Sequence, residues 1–306
     1  MKKILITPRP FLSKGQKYLD ELQAAGYIVE CNTSGGRFSK EELMVKIKDA
    51  DAIITGNDPL DQDVIDCAKK LKVISKYGVG LDNINVEYAN SRNIVVHKAL
   101  NANSVSVAEM AILMMLSSAR KYVEIEQQAK CSNDVRLVGT ELHKKTLGLI
   151  GLGAIGKHVA HIANAMGMEI IAYDPFINQS QVFPYINFKE LDEVYQLSDV
   201  ISLHLPLLDS TRHMIDQHAF EKMKPSAILI NTARGGLIDE DSLYNALITH
   251  KISFASEDIE LKERKEATKQ LMNYSITPHA ASFTQEADLN TIQISIKNVT
   301  NELEKR

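Results

Sequence analysis

Cysteine is scarce and odd in number: Cys31, Cys67 and Cys131 are the only three in 306 residues. They are widely spaced and cannot all pair, which argues for reduced thiols and against a disulfide framework. Long apolar runs are also missing. The most apolar stretch, 105–116, is interrupted by Glu109 and falls short of the roughly 18 residues needed to span a bilayer. The start, Met1-Lys2-Lys3-Ile4-Leu5-Ile6, has the charge of an export signal, but its apolar run ends after three residues where roughly 7 to 15 are needed. It reads as a first strand, and a cytoplasmic location is expected. Charge of either sign is not gathered into long runs, and the formal net charge is −4. That excludes an electrostatic footprint for nucleic acid or a membrane surface and leaves a small molecule as the expected partner. Low-complexity tracts, a Pro/Ser-rich linker and a repeat of fixed period are absent as well.

What is present is enough hydrophobic residue, 44%, to bury two medium cores. Short β-rich runs (Ile4-Leu5-Ile6, Tyr27-Ile28-Val29, Ala52-Ile53-Ile54, Val73-Ile74-Ser75) alternate with the helical patterns 14–25, 41–47 and 64–69. A second alternating series begins at Thr146-Leu147-Gly148-Leu149-Ile150 and runs through 169–173, 200–203 and 227–230. Alternation of this kind predicts parallel α/β sheets, and runs apolar on both faces predict strands covered by helices on either side. A helical pattern from Ser104 to about Lys130 lies between the two series, and an amphipathic segment, 286–303, closes the chain.

Gly151-Leu152-Gly153-Ala154-Ile155-Gly156 follows a predicted strand and opens a helical stretch. In this pattern the first glycine permits a tight turn, the second admits a pyrophosphate close to the backbone, and the third lets helix and strand pack. Asp174 ends the next strand, eighteen residues past Gly156, where a carboxylate can bind ribose hydroxyls and repel a 2′-phosphate. No Lys or Arg occurs from Tyr173 to Phe188 to neutralise such a phosphate, so NAD is expected rather than NADP. His158 and His161 stand three apart on the following helix, but no third ligand has suitable spacing and no metal is expected.

Reduction of a 2-keto acid needs a cation for the carboxylate, a proton donor for the carbonyl oxygen and a group that keeps the donor protonated. Arg234 follows a buried strand, at the sheet edge where α/β proteins bind ligands, and its planar fork suits a carboxylate. His279, after the short strand before Thr277-Pro278, is the side chain best suited to trade a proton near neutral pH. Glu263, after a predicted strand at 252–258, can pair with it.

These segments resemble, in order and through nearly the whole chain, the D-isomer-specific 2-hydroxyacid dehydrogenase family, which includes phosphoglycerate, glycerate, D-lactate and formate dehydrogenases. The specific matches are 76–84 (Lys-Tyr-Gly-Val-Gly-Leu-Asp-Asn-Ile), 103–109, the glycine turn, His204-Leu205-Pro206 with Thr211-Arg212-His213, 224–239 and Thr277-Pro278-His279. The resemblance implies two doubly wound parallel-sheet domains. One is a flavodoxin-like substrate domain of residues 1–98 plus 282–306; the other is a Rossmann NAD-binding domain of residues 99–281. It implies catalysis by Arg234, Glu263 and His279, and a carboxylate cradled by the amides of Val79 and Gly80. Nucleotide contacts fall to Gly151, Gly153, Ala154, Ile155, Gly156 and Asp174, with Leu205, Pro206, Thr232, Ala233 and Asp258 around the nicotinamide. Family members are typically dimers through the nucleotide domain, so a homodimer is expected.

Two departures stand out: the usual proline after the catalytic glutamate is Arg264, and the interval from Glu263 to His279 is short. The twenty-nine residues from Arg234 to Glu263 match the family and favour Glu263 over Glu260. Lys76 stands where phosphoglycerate-type relatives often have an arginine near the substrate phosphate; it is either a substrate contact or a surface ion pair. The loop Thr55-Gly56-Asn57-Asp58-Pro59 offers no second cation. The chain ends soon after its closing helix, so a C-terminal regulatory domain is not expected. The expected activity is NAD-dependent interconversion of a small D-2-hydroxy acid and its 2-keto acid, phosphoglycerate-type substrates included. Alternatives on the same fold are an NAD(H)-sensing corepressor and a formate- or phosphite-type dehydrogenase.

Overall fold

A computed structural model describes residues 1–177 and 183–305. The chain forms two compact units, Met1–Asn103 with Phe283–Arg306, and Ser104–Ser282.

The first unit is built on β1 (Lys3–Ile6), β2 (Ile28–Cys31), β3 (Ala52–Thr55), β4 (Val73–Lys76) and β5 (Val95–Lys98). Its helices are α1 (Pro10–Lys14), α2 (Gln16–Ala24), α3 (Lys40–Lys46), α4 (Gln62–Cys67) and α5 (Val86–Ser91), with the closing helix α13 (Gln285–Glu304). The strands are all parallel in the order β2-β1-β3-β4-β5, the flavodoxin-like arrangement. Alternation along the strands sends side chains to opposite faces. Ile4, Ile6 and Ile54 join Phe11, Leu22, Ile292 and Val299 on one side, while Leu5, Ile53 and Ile74 join Leu43, Val64 and Ile65 on the other. Local chemistry sets the helix starts. Ser39 and Glu42 form a capping box ahead of α3, and Asp61 and Thr284 accept amides at the starts of α4 and α13.

The second unit contains α6 (Ser104–Arg120), α7 (Tyr122–Lys130), β6 (Thr146–Ile150), α8 (Ala154–Ala165), β7 (Glu169–Tyr173), β8 (Ile186–Phe188) and α9 (Leu191–Leu197). It continues with β9 (Val200–Leu203), α10 (Gln217–Lys222), β10 (Ile228–Asn231), α11 (Glu240–Ile248), β11 (Phe254–Ile259), α12 (Glu266–Lys269) and β12 (Tyr274–Pro278). The sheet order β12-β11-β10-β9-β6-β7-β8, parallel throughout, is the doubly wound nucleotide-binding order with its reversal between β6 and β9. Leu147, Leu149, Ile170 and Ile230 pack with α6 and α8, whereas Ile150, Ile201, Leu203 and Leu229 pack with Val194, Phe220 and Leu243.

The fold class expected from the sequence is the one observed. The continuous helix expected from 104 to 130 is instead two helices, because Lys121 turns into the left-handed region at φ 49° between them. Strand β2 sits one to two residues later than the apolar run 27–29, and β5 and β8 have no strong period-two signal. Among the described residues, no helix is long and apolar enough to cross a membrane.

Candidate active site and nucleotide cradle

The glycine turn leaves β6 and enters α8, and its three glycines meet three different constraints. Gly151 has φ 92°, and a Cβ there would lie 2.5 Å from the His204 carbonyl oxygen, so β9 can approach only a glycine. A Cβ on Gly156 would lie 2.5 Å from the Gly151 carbonyl oxygen, which is what lets helix pack on turn. A Cβ on Gly153 would meet nothing within 4 Å among the described residues, so the side of the turn it faces is open at the start of α8. The first amides of a helix have no intrahelical partner and carry the positive end of its dipole, so this space suits a pyrophosphate.

Asp174 follows β7 and ties the rim together: its carboxylate accepts the Leu152 amide at 2.8 Å and the Phe176 amide at 3.0 Å. A carboxylate has lone pairs beyond those two for ribose hydroxyls. Of the cation-free stretch 173–188, residues 178–182 lie outside the described ones. Leu205 and Pro206 follow β9, and Thr232 and Ala233 follow β10, so all line the carboxyl edge of the sheet. Thr232 Oγ1 is buried with no hydrogen-bond partner among the described residues, an orphan that a polar ligand group would satisfy. These residues fit a dinucleotide.

Arg234, Glu263 and His279 stand at the carboxyl ends of three adjacent strands, β10, β11 and β12. Arg234 precedes the 3-10 turn Gly235–Leu237, and Glu263 closes the turn Leu261–Glu263. Glu263 lies directly on Gly235: a Cβ there would come within 2.9 Å of its Cβ, Cδ and Oε1. His279 sits at φ 53°, a conformation that costs a residue with a Cβ about 1–3 kcal/mol and is held by its surroundings. The holder is Asp258, whose carboxylate accepts the Thr277 hydroxyl at 2.6 Å and the amides of Ala280 and Ala281 at 2.7 and 2.8 Å. The family resemblance implies that Asp258 lies beside the nicotinamide; what the structure adds is that it fixes the turn carrying His279.

The carboxylate within ion-pair reach of His279 is a correction to expectation. Register pairs Ile259 with Pro278, which brings Glu260 alongside His279, and its Oε1 lies 3.9 Å from Nδ1. Glu263 does not pair with His279 here. It reaches back to the Glu260 amide at 3.2 Å in a capping box, and that bond turns it onto Gly235.

A buried cluster that sequence reasoning missed lies beneath these loops. Glu257, fully buried in β11, binds Arg264 with both oxygens, Oε2 to Nε at 2.7 Å and Oε1 to Nη2 at 2.8 Å. Glu257 also accepts Asn231 Nδ2 and the Tyr274 hydroxyl, each at 2.8 Å. Burial opposes the Arg264 charge, but Glu257 more than offsets it and holds the guanidinium above its ordinary pKa. Burial first, and then the Glu257 charge, push the Tyr274 phenol upward, so it stays a donor. The available signals were a carboxylate inside a buried strand and an arginine in place of the family proline.

In the first unit, Val79 and Gly80 lie in the turn after β4, half-buried. Lys76 is only 4% exposed, which corrects the surface ion pair entertained for it. Its ammonium donates to the Gly56 carbonyl at 2.5 Å, Asn57 Oδ1 at 2.9 Å and Asn83 Oδ1 at 2.8 Å. An ammonium has three donors, so these bonds commit Lys76 to holding loops and leave little for a phosphate. Among the described residues no three His, Cys, Asp or Glu side chains gather as a metal site.

Residues 112–281 match the sequence profile of the D-isomer specific 2-hydroxyacid dehydrogenase NAD binding domain. The chain is 41% identical over 295 residues to the D-3-phosphoglycerate dehydrogenase of Methanocaldococcus jannaschii, covering 94% of this chain but 55% of that protein. It thus spans about half the length of the phosphoglycerate dehydrogenases it matches. It is 38% identical over 266 residues to the hydroxypyruvate reductase of Thermotoga maritima, covering 84% of this chain and 86% of that protein. Among solved structures, a glyoxylate reductase from Paecilomyes thermophila superposes with a TM-score of 0.90 at 26% identity, over 99% of this chain and 96% of that one. The chain belongs to the D-isomer specific 2-hydroxyacid dehydrogenase family.

Proposed function

We propose that the protein is an NAD-dependent oxidoreductase that interconverts a small D-2-hydroxy acid and its 2-keto acid. The observation that carries this reading is the convergence of Arg234, Glu263 and His279 at the ends of β10, β11 and β12, beside a glycine turn shaped for a dinucleotide. Bound NADH supplies a hydride to the substrate carbonyl carbon. Arg234 neutralises the substrate carboxylate and polarises the carbonyl, and His279 donates the proton to the oxygen that becomes the hydroxyl. A carboxylate beside the His279 imidazole can accept its second ring N–H and orient the ring toward the substrate, a role open to Glu260 at 3.9 Å and, after rotation off Gly235, to Glu263. Asp174 favours NAD over NADP because its carboxylate binds ribose hydroxyls and repels a 2′-phosphate.

The commitment of Lys76 to three acceptors favours unphosphorylated acids such as hydroxypyruvate and glyoxylate over phosphohydroxypyruvate. The exposed apolar side chains Val105, Leu113 and Leu116 repeat along one face of α6, with Tyr122 and Val123 following on α7. They support a homodimer joined through this unit.

The test is NADH oxidation, followed by nicotinamide absorbance, against glyoxylate, hydroxypyruvate, pyruvate, oxaloacetate, 2-ketoglutarate and phosphohydroxypyruvate. Selective turnover of one acid supports the proposal and names the substrate. NADH binding without turnover of any would replace it with an NAD-sensing role.

A further inference from the structure

Arg264 is buried, and its guanidinium reaches the backbone on both sides of the candidate site. Nη2 donates to the Gly235 carbonyl at 2.9 Å and Nη1 to the Glu263 carbonyl at 2.7 Å. Its ion-pair partner Glu257 holds Asn231, whose Nδ2 donates to the Arg234 carbonyl at 3.0 Å. Three carbonyls, those of Arg234, Gly235 and Glu263, are therefore tied to one buried pair, with Tyr274 and Glu240 completing its shell.

Stability alone does not account for this arrangement. Removing two charges from water costs several kcal/mol per ion, and apolar residues of similar volume replace buried ion pairs at no loss or even a gain. What apolar residues cannot supply is a directional hold on several carbonyl oxygens at once. Arginine's planar fork supplies it, and lysine's point charge does not. Gly235 makes the hold consequential, because Glu263 rests on its α-carbon with no space for a methyl group between them.

We infer that Arg264 is a positioning residue: paired with Glu257, it fixes the backbone of the Arg234–Gly235 and Glu263 turns and so sets the placement of Arg234 and Glu263. The inference rests on the function proposed above. A displacement of about 1 Å in such groups costs about a hundredfold in rate.

Two variants test it. Arg264→Lys keeps the charge and loses the fork, and the double variant Glu257→Leu/Arg264→Met removes the pair without leaving a buried charge. Each is assayed for kcat and KM on the acid that wild type turns over, for NADH affinity by fluorescence and for melting temperature, and the double variant is crystallised. The expected result is a folded double variant with unchanged NADH affinity, kcat lowered about a hundredfold and Glu263 displaced from Gly235. Arg264→Lys should retain the melting temperature but share the loss of kcat. Unchanged kcat with Glu263 still on Gly235 would overturn the inference, and so would failure of both variants to fold, which would make the pair structural. If wild type turns over no acid, the functional reading fails on its own, while the crystal structure still shows whether Glu263 depends on Arg264.

Discussion

His279 joins chemistry to strain in a single residue. Its φ of 53° disfavours any residue with a Cβ, and Asp258 holds the turn with three hydrogen bonds. Glycine adopts this conformation freely, so His279→Gly should stabilise the protein by up to about 1 kcal/mol in urea unfolding. The same variant should lower turnover by about 10²- to 10⁴-fold while NADH binding persists, because the proton donor is gone. Unchanged turnover would remove His279 from the reaction. The two carboxylates separate the same way: Glu260→Gln and Glu263→Gln should differ in kcat, and the larger loss identifies the one that serves His279. Asp174→Ala should raise kcat/KM with NADPH relative to NADH. The strand-end positions of Arg234 and Asp174 were legible because each follows a strand whose apolar run is plain in the sequence, and that of His279 because it follows a short strand ending in Thr277-Pro278. The Glu260 contact was not, because it depends on the register of β11 against β12 and on a capping bond that turns Glu263 away.

At the scale of elements, the strands that the sequence marked best are those buried on both faces. The runs at 146–150, 169–173 and 200–203 are observed with the bounds expected. Strand β8 has three residues and β5 is half exposed, so neither carries enough apolar pattern to be read alone. The break between α6 and α7 was invisible because Lys121 is an ordinary helix former; only its φ of 49° reveals the corner. Lys121→Gly should accordingly stabilise the nucleotide unit by about 1 kcal/mol, read as a rise in urea midpoint, whereas the same change at an exposed helix interior costs about that much. Gly235→Ala tests a junction between two turns. Its methyl group would sit 2.9 Å from Glu263, so kcat should fall while NADH affinity holds. Equal kcat would mean that Glu263 moves aside at no catalytic cost.

Across the whole molecule, stability at mild acid should depend on one histidine in the nucleotide unit. His204 Nε2 lies 2.9 Å from Ser202 Oγ, while Nδ1 is sealed from solvent without a partner among the described residues. Burial pushes its pKa down from 6.5 to about 3. The unfolded chain therefore binds a proton that the folded protein refuses throughout that interval. Stability from this group is complete above pH 6.5 and declines as pH falls toward 3, with a limiting slope of about 1.4 kcal/mol per pH unit. Surface carboxylates held low by lysine, such as Asp49 and Asp61, act in a different window, because their unfolded values lie near 3.8. Unfolding followed in urea between pH 6.5 and 5 thus isolates His204 from them. The variant His204→Leu should show a shallower slope than wild type in that window, by about half a proton at pH 6.5 and nearly one at pH 5, and the two should converge in slope above pH 7.5. Parallel curves between pH 6.5 and 5 would mean that the imidazole gains a proton without leaving the fold. Acid sensitivity would then have to come from carboxylates alone.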